Sequence, residues 1–157
     1  MSIVRKGAPE ALGEFPERAH LGPWTEERYS EAGGGGITQF GAHVVTLPPG
    51  SRSSDRHWHS DQDEFLYVLS GEATVIEEDG PHLLGPGDAA VWPAGAANGH
   101  TVENNSDAPC SFLIVGGRTE RDRIVYPDRD RTLCQDGLAW RLVQTSTGQV
   151  LREGEDL

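Results

Sequence analysis

Apolar residues in this chain come in short runs, and small polar clusters separate them at intervals of about ten residues. From residue 37 onward the runs fall at 37–47 (ITQFGAHVVTL), 56–59, 64–69, 73–78, 82–84, 89–92, 99–104, 110–115 and 124–126. Each is too short for a helix of three turns, and none repeats apolar residues at a 3.6-residue period. The separators are turn formers: Pro48-Pro49-Gly50, Ser70-Gly71, Asp79-Gly80-Pro81, Gly85-Pro86-Gly87-Asp88, Pro93-Ala94-Gly95 and Asn104-Asn105. Short strands punctuated in this way predict an all-β sandwich or barrel. Within 64–69, Leu66 and Val68 share the face of Glu64, while Phe65, Tyr67 and Leu69 point the other way. Both faces are apolar, which predicts a strand covered on both sides.

The ends of the chain read differently. Residues 1–36 form an irregular arm broken by Pro9, Pro16 and Pro23 and closed by Gly33 to Gly36, with short pieces of 8–32 as its best helical candidates. Residues 127–157 read as a charged extension with one apolar island, Leu138 to Val143, able to form one more strand. The expected organisation is therefore an arm (1–36), a barrel (37–126) and a C-terminal extension (127–157).

Composition narrows the function classes. The 157 residues carry 25 acidic and 13 basic side chains, a net charge of −12. That balance argues against nucleic acid and anionic membrane as partners, because both need a Lys/Arg surface. No run is long and apolar enough for a signal peptide or a spanning helix, so the expected compartment is the cytoplasm. The two cysteines, Cys110 and Cys134, read as packing residues.

The chemistry concentrates in two segments. In the first, His57 and His59 lie two apart on a strand and so share a face, where two imidazoles can bind one metal ion. Glu64 follows past the polar turn SDQD, and a hairpin there returns its carboxylate toward the histidines. In the second segment a strand ends at Trp92, Pro93-Ala94-Gly95 turns the chain, and His100 opens the next strand. If that strand lies beside the first, His100 supplies a third nitrogen. Three imidazoles and one carboxylate leave two positions of an octahedral shell open, as an inner-sphere reaction requires.

These segments resemble the two motifs of the cupin superfamily. Gly50, His57, His59, Glu64 and Gly71 match the first motif, with one extra residue between Gly50 and His57. Gly87, Pro93, Gly95, His100 and Asn104 match the second, with four residues in place of two between Gly95 and His100. The matched stretch, 50–104, is about a third of the chain. The phrasing is similar to small single-domain bacterial cupins. The resemblance implies a double-stranded β-helix (jelly-roll) barrel with one divalent transition metal held by His57, His59, Glu64 and His100. Iron is the first expectation, with manganese, nickel, zinc and copper also in use across the family. It also implies a homodimer.

Other residues are read more plainly. His43 is taken as a core or surface histidine rather than a pocket residue, and His20 and His82 as surface. Arg52, Arg56 and Arg118 are taken as solvated loop residues rather than guides for an anionic substrate. Trp58, between the two histidines, faces away from them. Trp92 and Phe112 either line the pocket or fill the core. The functional expectation is a metal-dependent oxygenase acting on a small oxygen-chelating organic acid or diol, with no catalytic residue assigned. A redox-neutral isomerase or lyase is the alternative within enzymes, and a ligand-binding barrel the alternative outside them.

Overall fold

The computed structural model describes Leu21, the backbone of Thr25–Arg28, and residues 37–155, and among these described residues it forms thirteen β-strands and a 3-10 turn at Pro127–Arg129. In chain order the strands are β1 (Thr25–Arg28), β2 (Phe40–Leu47), β3 (Trp58–His59), β4 (Glu64–Ser70), β5 (Ala73–Glu77), β6 (Gly80–Leu84) and β7 (Ala89–Trp92). They continue with β8 (Thr101–Glu103), β9 (Cys110–Gly117), β10 (Arg121–Tyr126), β11 (Arg131–Asp136), β12 (Ala139–Gln144) and β13 (Val150–Gly154). All the pairings are antiparallel.

Three sheets result. The first runs β1-β2-β9-β4-β7, the second β6-β5-β8, and the third β13-β12-β11-β10-β3. The bridge His57↔His100 joins the second sheet to the third. His57 and His100 exchange both backbone hydrogen bonds there, at 3.0 and 2.9 Å. Packed against the first sheet, this composite surface forms the all-β cupin barrel.

The core follows the two-residue alternation. Val45 and Leu47 of β2, Leu66 and Val68 of β4, and Cys110 and Phe112 of β9 point inward and meet Ala73, Val75, Trp92 and Val102. Phe112 is fully buried and fills the core. Gly71, at φ 73°, closes the β4–β5 turn, where a Cβ would lie 2.5 Å from the carbonyl of Pro109. Asn104 is also fully buried and donates through Nδ2 to the carbonyls of Leu47 and Ala108 at 2.8 Å. It ties the end of β8 to the end of β2.

Three expectations change. The outer face of β4 is exposed, with Phe65 at 37%, Tyr67 at 39% and Leu69 at 46%. Alternation records that a face is apolar, and among the described residues none covers this one. The C-terminal extension contributes three strands, where the hydrophobic pattern pointed to one. The expected island is β12, but β11 and β13 carry charged residues in their pleats and hide their alternation. Their place is set by pairing, which extends the sheet of β3 and β10. Within the N-terminal arm, Thr25–Arg28 is strand rather than helix and pairs with β2. The rest of the arm, His20 and Gly33–Gly36 included, lies outside the described residues.

Candidate metal centre

All four residues expected as ligands come together at one end of the barrel. His57 and His59 sit at and within β3, Glu64 begins β4, and His100 immediately precedes β8. One donor atom each from His57, His59 and Glu64 lies within 4.8 Å of the others. His100 joins them through Glu64, its Nε2 2.8 Å from Oε2. The His59 Nε2 is 3.7 Å from the same oxygen. Ring centroids of His57 and His59 are 5.2 Å apart, as are those of His57 and His100.

Each imidazole has its other nitrogen occupied. The His57 Nδ1 lies 2.9 Å from the backbone carbonyl of Asp55. The His100 Nδ1 lies 3.1 Å from the carbonyl of Asn98. The His59 Nδ1 meets Asp122 Oδ2 at 2.5 Å. A metal-binding histidine commonly donates its second N–H to a carboxylate or carbonyl, which fixes tautomer and ring orientation. Here all three are so held, and the Nε2 edges of His59 and His100 are turned toward Glu64. The donor set suits a divalent transition metal with borderline preferences.

Asp122 was missed by the sequence reading, which began the strand at 124. On β10 it lies two residues before Ile124, whose register partner is His59, so it shares that residue's inward face. Its side chain is fully buried. The Asp61 N–H and Ser60 hydroxyl donate to Oδ1 at 3.1 and 3.3 Å. An acidic residue in the inward register of a strand was the available signal.

The protonation equilibria match this arrangement. Burial, helped by the charges of His100 and His59, pushes His57 down to about 4, against the pull of Glu64. His57 is therefore neutral at pH 7, the form that binds metal. Burial pulls His59 down too, but the Asp122 hydrogen bond and the charges of Glu64 and Asp122 outweigh it and leave it raised. Burial raises Glu64 and Asp122, yet the facing histidines hold both below the usual carboxylate range.

The wall beside the ligands is aromatic. Trp92 stacks flat on His100 at 3.7 Å, and its Nε1 donates to Glu77 at 2.6 Å. Trp92 thus fills the core and lines the site at once. Tyr126 of β10 lies 5.7 Å from the His57 ring. The longer turn before His100 does not carry it out of reach. That turn supplies the Asn98 carbonyl that anchors the His100 ring, and the Asn98 side chain accepts from the Glu78 N–H. Trp58 pairs across from Val125, on the face opposite His59. Arg56 is no loose loop residue: it binds Asp128 in bidentate fashion and Glu78 at 3.2 Å. Arg52 pairs with Asp55 at 3.3 Å. His82 stays at the surface, 2.7 Å from Asp79. Cys110 packs in the core and Cys134 is half-buried on β11.

Comparison with known proteins agrees with this geometry. Residues 43–116 match the cupin domain family model. A solved structure from Silicibacter pomeroyi, described as a sugar phosphate isomerase of the cupin superfamily, is 35% identical, with a TM-score of 0.85. The match covers 94% of this chain and 95% of that one. Oxalate decarboxylase of Bacillus subtilis is 38% identical over 77 residues, 46% of this chain but only 19% of the decarboxylase's length. Protein SchB of Streptomyces halstedii is 29% identical over 98 residues, covering 62% of this chain and 69% of SchB. The chain belongs to the cupin superfamily.

Proposed function

We propose that His57, His59, Glu64 and His100 hold one divalent transition metal, and that the chain is an enzyme of the redox-neutral, isomerase type acting on a small hydroxy-carbonyl compound. The observation that carries the metal centre is the fixing of all three imidazoles through Nδ1, around a single carboxylate. When bound, the metal supplies Lewis-acid polarisation of a substrate oxygen. The chain's own part is to present neutral His57, to hold His59 through Asp122, and to keep Glu64 ionised. Trp92 shields one side of His100 from water. The isomerase class is favoured by the likeness to the S. pomeroyi protein, which extends over nearly the whole of both chains.

The oxygenase expected from the sequence remains the second reading, with iron as its metal. It is supported by the same donor set, which leaves room for a substrate and a small gas molecule together. Turnover of a panel of hydroxy-carbonyl compounds with and without oxygen separates the two. Equal product under both conditions supports the isomerase class, and stoichiometric oxygen uptake supports the oxygenase. Tight ligand binding with no product under any metal would make the barrel a binding module. Self-association as a homodimer belongs to the same reading, and sedimentation at micromolar concentration tests it.

A further inference from the structure

Beside Glu64 the inner face of the first sheet loses its side chains. Register places Glu64 opposite Gly116 of β9, and Gly116 opposite Gly41 of β2. Two adjacent strands thus present bare backbone in the row of the proposed metal ligand. A Cβ at Gly116 would sit at ordinary contact distance from the Glu64 Cγ (3.9 Å) and the Asp63 carbonyl (4.0 Å), so glycine leaves free the space that a larger side chain would take beside Glu64. At Gly41 the space is taken. An added Cβ would lie 2.9 Å from His43 Nε2 and 3.6 and 3.7 Å from the Arg118 Nε and Nη2. His43 reaches there from one row deeper in the barrel, level with Ile114 and Leu66. Arg118 follows β9 at the exposed rim and reaches there from the other side. An imidazole and a guanidinium therefore converge two strands from Glu64, which is roughly 10 Å at ordinary strand spacing.

We propose that His43 and Arg118 form an oxyanion subsite, and that the floor over Gly116 seats the substrate between it and the metal centre. This rests on the metal-centre reading and narrows its substrate class. The substrate carries chelating oxygens at one end and a carboxylate or phosphate at the other, with a spacer of roughly two to four atoms to cover the gap of about two strand spacings. A planar guanidinium with several N–H donors binds either oxyanion, and an imidazole N–H adds a further donor. Glycine at both positions follows, because any side chain there would fill the seat or displace His43.

The test uses full-length protein loaded with Mn(II), with ligand affinity read by calorimetry and metal content measured for every sample. The probes are D-lactate, D-2-hydroxyglutarate and 3-phospho-D-glycerate. All three share the same α-hydroxy acid end; the second adds a carboxylate and the third a phosphate. Wild type is expected to bind hydroxyglutarate, phosphoglycerate or both at least tenfold more tightly than lactate, and whichever gains identifies the anion. Arg118→Gln should lose most of that advantage with lactate affinity unchanged, and His43→Gln should lose part of it. Gly116→Val should weaken all three probes while retaining Mn(II). No advantage of a second anion in wild type, or an advantage that survives in both R118Q and H43Q, overturns the subsite. If wild type holds no Mn(II), the metal-centre reading fails separately. Inorganic phosphate titrated into the metal-free protein then decides the subsite: binding lost in R118Q supports it, and no binding in wild type overturns it.

Discussion

The three histidines of the site are held in two different ways. His57 and His100 are each anchored by a backbone carbonyl two residues earlier in the chain, from Asp55 and Asn98. His59 is anchored by the side chain of Asp122, 63 residues away on β10. Local anchors come with the turn that delivers the ligand, and no substitution of a single side chain removes them. The distant anchor ties the candidate metal centre to the folding of β10 and its sheet. It also brings a second negative charge to the site, which the local anchors do not. His57 is pushed down, chiefly by burial, while the Asp122 hydrogen bond and the charges of Glu64 and Asp122 leave His59 raised.

The largest expected effect ignores the difference between them. Glu64 faces both kinds of histidine, so Glu64→Ala should abolish stoichiometric metal binding, measured by elemental analysis after dialysis.

Acid stability separates His57 from His59. In the metal-free protein His57 titrates near 4 folded against 6.5 ordinarily. The unfolded chain therefore binds more protons between those values, and stability falls as pH drops from about 6.5 to about 4. For His57 alone the loss approaches ~3 kcal/mol. The raised His59 has the opposite sign: its contribution is present below the ordinary histidine range and is lost as pH rises through its folded value. Glu64 and Asp122 are lowered, and their contributions disappear at still lower pH. Urea midpoints in EDTA from pH 4 to 7 should show the acid limb flattening in His57→Gln. An unchanged limb would remove His57 as its source.

Asp122→Asn should weaken metal binding by about 10- to 100-fold while all four ligands remain. The controls carry the smallest effect. Asp55→Asn and Asn98→Ala leave their carbonyls in place and should change metal affinity by less than about threefold, since it is the backbone carbonyls that hold the rings. Competition against a chelating dye reads all three. A loss at Asp55 or Asn98 matching that at Asp122 would erase the distinction.

What could be read from the sequence follows the same division. The strands of 37–126, their turns and the four candidate ligands are legible because each is a local pattern, an alternation or a fixed spacing. Asp122 was not, because its role exists only through the pairing of β10 with β3. The subsite at His43 and Arg118 was hidden for the same reason: Gly41 and Gly116 are informative only once register places them beside Glu64. Strands β11 and β13 carry too many charged positions to announce themselves. The exposed face of Phe65, Tyr67 and Leu69 shows the converse: a clear local pattern says that a face is apolar but not that anything covers it, and among the described residues nothing does.

The central claim, that these four side chains form one metal centre, is tested most directly by X-ray absorption on protein purified without an affinity-metal column and reconstituted with Mn(II) or Fe(II). The account predicts one ion per chain with three imidazole nitrogens and a carboxylate oxygen in its shell. A shell with fewer than two imidazoles, or an ion retained at full stoichiometry in Glu64→Ala, would contradict it.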